Sequence, residues 1–356
     1  MRSALLEQIG RNVDRLISID YPSYGVIGPL FEEALKAQDG PLSMRAAEML
    51  SDAASPGGTV VIVTGLILPG HHPHGETDGP VGAAVLARAL ALGLSARVLI
   101  AIEPELAGLM TALLRVAEFH VIAPDALRNE DGAHRPVAAV VPLSRDDAEA
   151  HSQASAWIRD FGVKAVVAIE KAGPNAMGVY HMVGGKDISD STGKGAALFR
   201  AAADKGLLRI GIGDRGNELG MGPVAQVARA LLPFGRDCGC PCHGGVADQT
   251  AADLALPAVI SNWGAYGIAA CLAALREKRM LLHDAAMERR LLETAVLNGG
   301  VDGMSGRAVR AVDGIGVETS AAFVELLGEI YCAQSVRDPS PFSTPLIKNE
   351  PIARRS

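Results

Sequence analysis

A chain of 356 residues, 49% of them apolar, is long enough to bury a large core, either as one sizeable α/β domain or as two fused ones. Its formal net charge of -7 and an aromatic content of only 4% argue against nucleic acid as a partner, which needs a basic face interleaved with stacking rings. No apolar run reaches the length of a membrane span, and Glu7 and Asp14 are out of place in a transit peptide, so a cytoplasmic protein is expected.

The opening LEQIGRNVDRLISID spaces its apolar residues as a helix does, until Tyr21-Pro22 breaks the pattern. Helices from about Pro29 to Ala37 and from Leu42 to Ser51 follow, and the turn Pro56-Gly57-Gly58 closes this section. Residues 1–55 are therefore read as a helical arm packed on a single α/β domain at 56–356. From Thr59 the run TVVIVTGLIL has the continuous β-branched character of a strand buried on both faces of a parallel sheet. Past the polar loop HHPHGETDGP a helix starts at Pro80, and SARVLIAIE gives a second strand ending at Glu103, which completes a βαβ unit.

The alternation continues with a helix from Pro104 to Glu118, strands near His120 and at Val137 to Val141, and a helix from Asp146 to Phe161. KAVVAIE forms a strand ending at Glu170, a helix spans Gly193 to Lys205, and LLRIGIGD forms a strand ending at Asp214. The final third holds helices near Val224 to Leu232, Tyr266 to Glu277 and His283 to Leu297, with a short strand, PAVIS, before Asn262. The pattern specifies a doubly wound α/β fold with a mostly parallel sheet, helices on both faces and helical additions at both termini.

In open parallel sheets ligands bind outside the carboxyl ends of the strands. Four strands here are followed by polar, glycine-rich loops: GETDGP, EKAGPNAMGVY, GDRGNELGMG and SNWGAYG. These loops would gather Glu76, Asp78, Glu170, Asp214 and Glu218 in one cleft, and close carboxylates repel unless they are protonated or bridged by a cation. Oxygen-only ligands point to Mg²⁺, Mn²⁺ or Ca²⁺ rather than zinc. Taken singly, any one of these acids is also explained as a helix cap or as a partner of Lys171, Lys186 or Arg215.

Other motifs carry less. GIGDRG matches the dinucleotide fingerprint, but Gly220, Gly222 and Pro223 delay the helix that should begin inside it, so no nucleotide cofactor is expected. TGKG at Thr192 lacks the first glycine of a phosphate loop. His71, His72 and His74 suit a metal site and equally a solvated polar loop, and Trp263 and Tyr266 suit a pocket wall or the core. Cys238, Cys240 and Cys242 crowd into CGCPCH, but a zinc site would need a second ligand pair at the usual spacing, so they are read as small buried residues.

Together the strand-end loops resemble those of the D-glutamate cyclase family, whose pattern runs TG…ETDGP, E…G…Y…G.DIS, IGDGGNEIGMG and SNWG.YG. Here the corresponding segments read TGLILPGHHPHGETDGPVGA, EKAGPNAMGVYHMVGGKDIS, IGDRGNELGMG and SNWGAYGIAA, in the same order and over nearly the whole chain. Two departures are Arg215, where the family run has glycine, and the cysteine-rich CGCPCH. The resemblance implies a hydro-lyase that converts D-glutamate to 5-oxo-D-proline and water, the α-amine attacking the γ-carboxyl carbon. On that footing Glu76, Asp78, Asp214 and Glu218 are expected to hold a divalent ion, and Glu170 or Glu218 to move protons, with Asp214 and Asn217 completing the catalytic group. Thr64, Gly65, Lys171, Arg215, Asn262 and Trp263 are the expected substrate contacts. A metal-dependent phosphohydrolase and a non-catalytic amino-acid sensor are the rival readings of the same cleft. The arm and the Gly/Ala-rich helices point to a homo-oligomer.

Overall fold

The computed structural model describes residues 2–332 apart from Ser55, Asp131, Ala133 and His134; the part of the expected 56–356 domain beyond residue 332 lies outside the described residues. The apolar spacing of the arm forms three helices, α1 (Arg2–Ile17), α2 (Ile27–Lys36) and α3 (Leu42–Ala53). Pro41 gives α3 no side-chain cap, so Asp14 of α1 accepts its first free amides, from Leu42 at 2.7 Å and Ser43 at 3.0 Å.

Beyond the arm the alternation expected from the sequence is present, beginning with β1 (Thr59–Thr64), α4 (Pro80–Leu94), β2 (Arg97–Ile102) and α5 (Ala107–Val116). It continues through β3 (His120–Val121), α6 (Pro124–Leu127), β4 (Val137–Pro142), α7 (Asp147–Asp160), β5 (Val163–Ile169), α8 (Ala196–Ala203) and β6 (Leu208–Gly213). Then come α9 (Ala225–Leu231), β7 (Leu254–Pro257), α10 (Ser261–Arg276) and α11 (Ala285–Leu297). A small hairpin, β8 (Ala311–Val312) and β9 (Ile315–Gly316), leads into α12 (Val317–Cys332).

The seven strands β1 to β7 form one sheet in the order β3-β4-β2-β1-β5-β6-β7, every neighbouring pair parallel. Strand alternation divides the core. Val60 and Ile62 pack on the side of α4 and α10, whereas Val61 and Val63 join the cluster under α7 and α8. Truncating a residue such as Ile62, which is fully buried, to alanine should cost about 2–5 kcal/mol. With helices on both faces, the fold is the expected doubly wound α/β class. The arm shares the first of these clusters: Val13 and Ile17 press on Gly267 of α10, where a Cβ would lie 3.1 and 3.2 Å from their methyl carbons. Among the described residues no helix is long and apolar enough to cross a membrane.

Strand order reverses between β1 and β5. From β1 the chain winds outward through β2, and from β5 it winds the other way through β6 and β7, so the crevice lies beyond Thr64 and Ile169. The GETDGP loop closes directly over it. Gly79, at φ 87°, comes so near that a Cβ there would lie 2.7 Å from Thr64 Oγ1 and 3.0 Å from Glu170 Cβ.

Several boundaries differ from the sequence expectation. The short strand is Leu254–Pro257 rather than PAVIS, and α10 begins at Ser261 instead of Tyr266. The cause is a cap supplied from afar: Asp78 accepts the amides of Ser261 and Asn262, 183 and 184 positions along the chain. The expected Pro104–Glu118 helix is split into a 3-10 turn at Pro104–Leu106 followed by α5.

Candidate active site

β5 and β6 deliver the acids. Glu170 follows the last residue of β5 and takes a left-handed backbone, φ 43°, which costs a non-glycine residue about 1–2 kcal/mol. Its amide donates to Ile212 O at 3.2 Å, and its Oε2 accepts the Ser261 hydroxyl at 2.6 Å. Asp214 follows β6, and Arg215 Nε donates to its Oδ2 at 3.2 Å. Glu218 folds back over the strand end, where its Oε2 accepts the Gly216 amide at 2.7 Å and where a Cβ on Gly213 would meet that same oxygen at 2.4 Å. The loop is held from below. The Gly173 amide donates to Asn217 O at 2.9 Å, and buried Asp248 accepts the amides of Gly220 and Met221 at 2.9 and 3.0 Å.

Carboxylate oxygens of Glu170, Asp214 and Glu218 thereby lie within 4.8 Å of one another. Burial, followed by the charge of Asp214, pushes Glu170 and Glu218 well above the ordinary carboxylate range. Asp78 is raised to about 7 by burial and then by Asp214, against the pull of the amides it accepts. Burial and then Asp78 also lift Glu76 and Asp313, so the acids around Asp214 hold more protons than isolated carboxylates would. Arg215 is the cation set against them. Its guanidinium stands 5.4 Å over the Tyr24 ring, and Asp214 raises its affinity for its proton still further.

A cavity of about 610 Å³ opens beside these groups, lined by Tyr21, Tyr24, Asp214, Arg215, Met304 and Asp313 among others. That is ample for an amino acid. Asp214 faces it, while Glu170 and Glu218 are set back from the lining and reach Asp214 through their carboxylates.

The structure sorts the sequence-derived candidates. Asp214, Glu218 and Glu170 converge; Glu76 and Asp78, expected as metal ligands with the first two, are not in that group. Asp78 and Asn262 instead cap each other's helices: Asn262 Oδ1 accepts the amides of Gly79 and Gly82 at 2.9 and 2.6 Å, and its Nδ2 donates to Thr77 O at 3.0 Å. Glu76 lies against the 301–303 segment, with Oε1 buried and unpartnered. Thr64 Oγ1 and Asn217 Oδ1 are likewise buried with no partner among the described residues, although Asn217 Nδ2 donates to His181 O at 3.2 Å. Lys171 is fully buried and bonds to Glu103 and, at 3.0 Å, to Gly65 O. Trp263 stacks on Phe323 of α12 at 3.7 Å, so its ring belongs to the core packing.

His71, His72 and His74 do not gather into a metal-holding group among the described residues: His72 is buried and neutral, lowered to about 4 chiefly by burial, and His71 reaches Gly303 O at 3.2 Å. The thiols of CGCPCH are a correction. Far from being merely small buried residues, all three converge on His181, a ligand from another loop. Asp313, Tyr21, Tyr24 and Met304 escaped the sequence reading, although Asp313-Gly314 is the dipeptide of a tight hairpin turn and marks β8–β9 as such.

Acids presented by neighbouring parallel strands at the point where strand order reverses define a doubly wound α/β protein with an acidic small-molecule cleft. Residues 28–328 match the family described as D-glutamate cyclase-like, C-terminal. The chain is 30% identical over 295 residues to the human protein D-glutamate cyclase, mitochondrial, an overlap covering 80% of this chain and 41% of that relative. The chain belongs to the D-glutamate cyclase-like family.

Proposed function

We propose that this chain is a lyase that closes D-glutamate to 5-oxo-D-proline. The carrying observation is the convergence of Glu170, Asp214 and Glu218 within 4.8 Å, in a chain of this family. In the reaction an N–C bond forms between the α-nitrogen and the carbon of the γ-carboxyl group, and one of that carbon's C–O bonds breaks. Two protons pass from the ammonium to the departing oxygen, which leaves as water. Glu170 and Glu218 suit both transfers by way of Asp214, which faces the cavity: ionised, either takes up a proton given up by the amine, and protonated, either returns one for the leaving oxygen. Arg215 has the fork geometry to hold the α-carboxylate, and the unpartnered Asn217 Oδ1 is an acceptor for the ammonium. Holding nitrogen and carboxyl in contact supplies several kcal/mol of the barrier reduction.

The donor set fits a hard divalent cation, Mg²⁺, Mn²⁺ or Ca²⁺: three carboxylates with close oxygens, two of them raised by burial and then by the neighbouring acid charge, which a cation would offset. Glu170, Asp214 and Glu218 would hold it, with Glu76 and Asp78 beyond them. When bound, such an ion supplies Lewis acidity towards the γ-carboxylate.

The test is incubation with D- and L-glutamate, with divalent metal or with chelator, and chiral separation of 5-oxoproline. Product from the D isomer is expected, and metal dependence would assign the ion; D-glutamate bound without turnover, or phosphate released from phosphate esters instead, would replace this reading. A homo-oligomer and a cytoplasmic location are part of the same proposal. Light scattering and cell fractionation test them, the human relative being mitochondrial by name.

A further inference from the structure

His181, Cys238, Cys240 and Cys242 offer one imidazole nitrogen and three sulfurs, all within 4.8 Å of one another. Cys238 to Cys242 lie on the loop between α9 and β7, a run of bends and turns with Gly239 at φ 73° that folds the three sulfurs together. His181 comes from the segment between β5 and α8, so the cluster ties two loops that the sequence keeps far apart. The three sulfurs are 3.2, 3.3 and 3.4 Å apart, and His181 Nε2 lies 3.3 Å from Cys240 Sγ and 3.8 Å from Cys242 Sγ. Tetrahedral zinc with Zn–S bonds of about 2.3 Å has sulfur–sulfur edges of about 3.8 Å, so an opening of a few tenths of an ångström admits the ion. All three cysteines are free thiols.

Two further features prepare these atoms as ligands. His181 Nδ1 is 3.2 Å from Val179 O; donating there, the ring turns the lone pair of Nε2 towards the thiols, as ligating histidines do. Amide donors surround the sulfurs: Asn175 Nδ2 reaches Cys242 Sγ at 3.3 Å, the Gly244 amide reaches it at 3.4 Å, and the Cys242 amide reaches Cys240 Sγ at 3.4 Å. Such donors stabilise sulfur as thiolate. A set of three sulfurs and one imidazole selects zinc over the hard cations that suit carboxylates.

We propose that His181, Cys238, Cys240 and Cys242 bind a structural zinc ion that braces one wall of the cleft. Four protein ligands leave no open position for substrate. The brace acts on the cleft through two links. Val183 and Gly184 on one loop, and Phe234 on the other, line the cavity, and the carbonyl of His181 holds the Asn217 amide.

The measurement is metal content of the tag-free full chain by mass spectrometry, followed by removal of metal and titration with Co²⁺. One zinc per chain is expected, and Co²⁺ should give thiolate charge-transfer bands with the intense visible absorption of a tetrahedral site. Cys240→Ser and Cys242→Ser should lose the zinc and melt several degrees lower. His181→Cys, which keeps four ligands, should retain it, and so should the Glu170→Gln/Glu218→Gln double variant, which separates this site from the acids. Three results would overturn the proposal: purified protein that takes up neither Zn²⁺ nor Co²⁺, zinc retained by both serine variants, or an intact mass two hydrogens light, showing a disulfide. None of these readouts depends on cyclase activity.

Discussion

Glu170 and Lys171 are neighbours in the chain, and their side chains enter opposite environments. Lys171 is matched one to one: its ammonium meets Glu103, which also accepts the Gly193 amide at 2.9 Å, and Gly65 O. Burial lowers its affinity for a proton and the charge of Glu103 opposes that, the balance expected of a buried pair whose task is to hold β1, β2 and β5 ends together. Among the described residues Glu170 has no cation of its own. It shares Asp214 and Glu218, and the described cation beside them, Arg215, already serves Asp214. Structure balances its buried charges, whereas a site that must exchange protons or grip a ligand leaves some of them unbalanced.

Substitution in the unbalanced group should produce the largest effect and fall on chemistry. Glu218→Gln or Asp214→Asn should lower the proposed turnover by roughly 10²–10⁴-fold, the usual worth of a positioned proton-transfer group. The melting temperature should stay level or rise, since each change removes a crowded carboxylate. A variant that is fully active, or one that unfolds, would put Glu218 or Asp214 on the structural side of the comparison. Lys171→Met should behave in the opposite sense. It strands Glu103 in the core and should cost about 3–5 kcal/mol of stability, read from denaturant unfolding. Glu103→Leu in the same chain should recover most of that loss, because an apolar pair of similar volume replaces the ionic one.

The difference between these regions was only partly legible in the chain. Glu170 and Asp214 were readable because β-branched runs mark where strands end, and ligands collect at those ends. Glu103 also ends a strand and was passed over, since nothing local reveals that Lys171, 68 positions later, is its partner. Asp78 and Asn262 read as site residues for the same reason: polarity beside glycine signals a ligand loop and a distant helix cap alike. Asp313 is legible only as the first residue of an Asp-Gly turn, since the two strands it joins are two residues each, too short for any periodicity to place that turn at the cleft. The thiols were seen but His181, 59 positions from Cys240, was not, since ligand spacing is informative only within one loop.

Acidity offers a milder perturbation of the same contrast. Asp78 and Asp248 are both raised from 3.8 to about 7, chiefly by burial, so the folded state favours their protonated forms more than the unfolded chain does. Stability from such groups is complete below their unfolded value near 4 and is lost as pH rises through about 7. In chelator the melting temperature should therefore fall between pH 5 and pH 8, on the order of several degrees in total. Added Mn²⁺ or Mg²⁺ should flatten the fall at the upper end, where Asp78 ionises and a cation offsets its repulsion with Asp214. An unchanged slope with metal would leave Asp248, which is committed to amides of the 220–221 turn, as the main source of the pH dependence.

Arg215→Gly should have the smallest effect on the fold and the most selective effect on the site. The guanidinium is about a quarter exposed, and such an ion pair contributes about 0–1 kcal/mol to stability. Its loss would remove the counter-charge of Asp214, Glu170 and Glu218 and the proposed bidentate partner of the substrate's α-carboxylate. A charge-assisted hydrogen bond of about 1.5–3 kcal/mol corresponds to a KM raised roughly ten- to hundredfold, with kcat changed far less if the grip is equal in ground and transition states. A fall in kcat at constant KM would instead assign Arg215 to the acids, as the cation that sets how many protons they hold. In that event Mn²⁺ or Mg²⁺ should recover part of the lost rate, since either supplies the positive charge that the substitution removes.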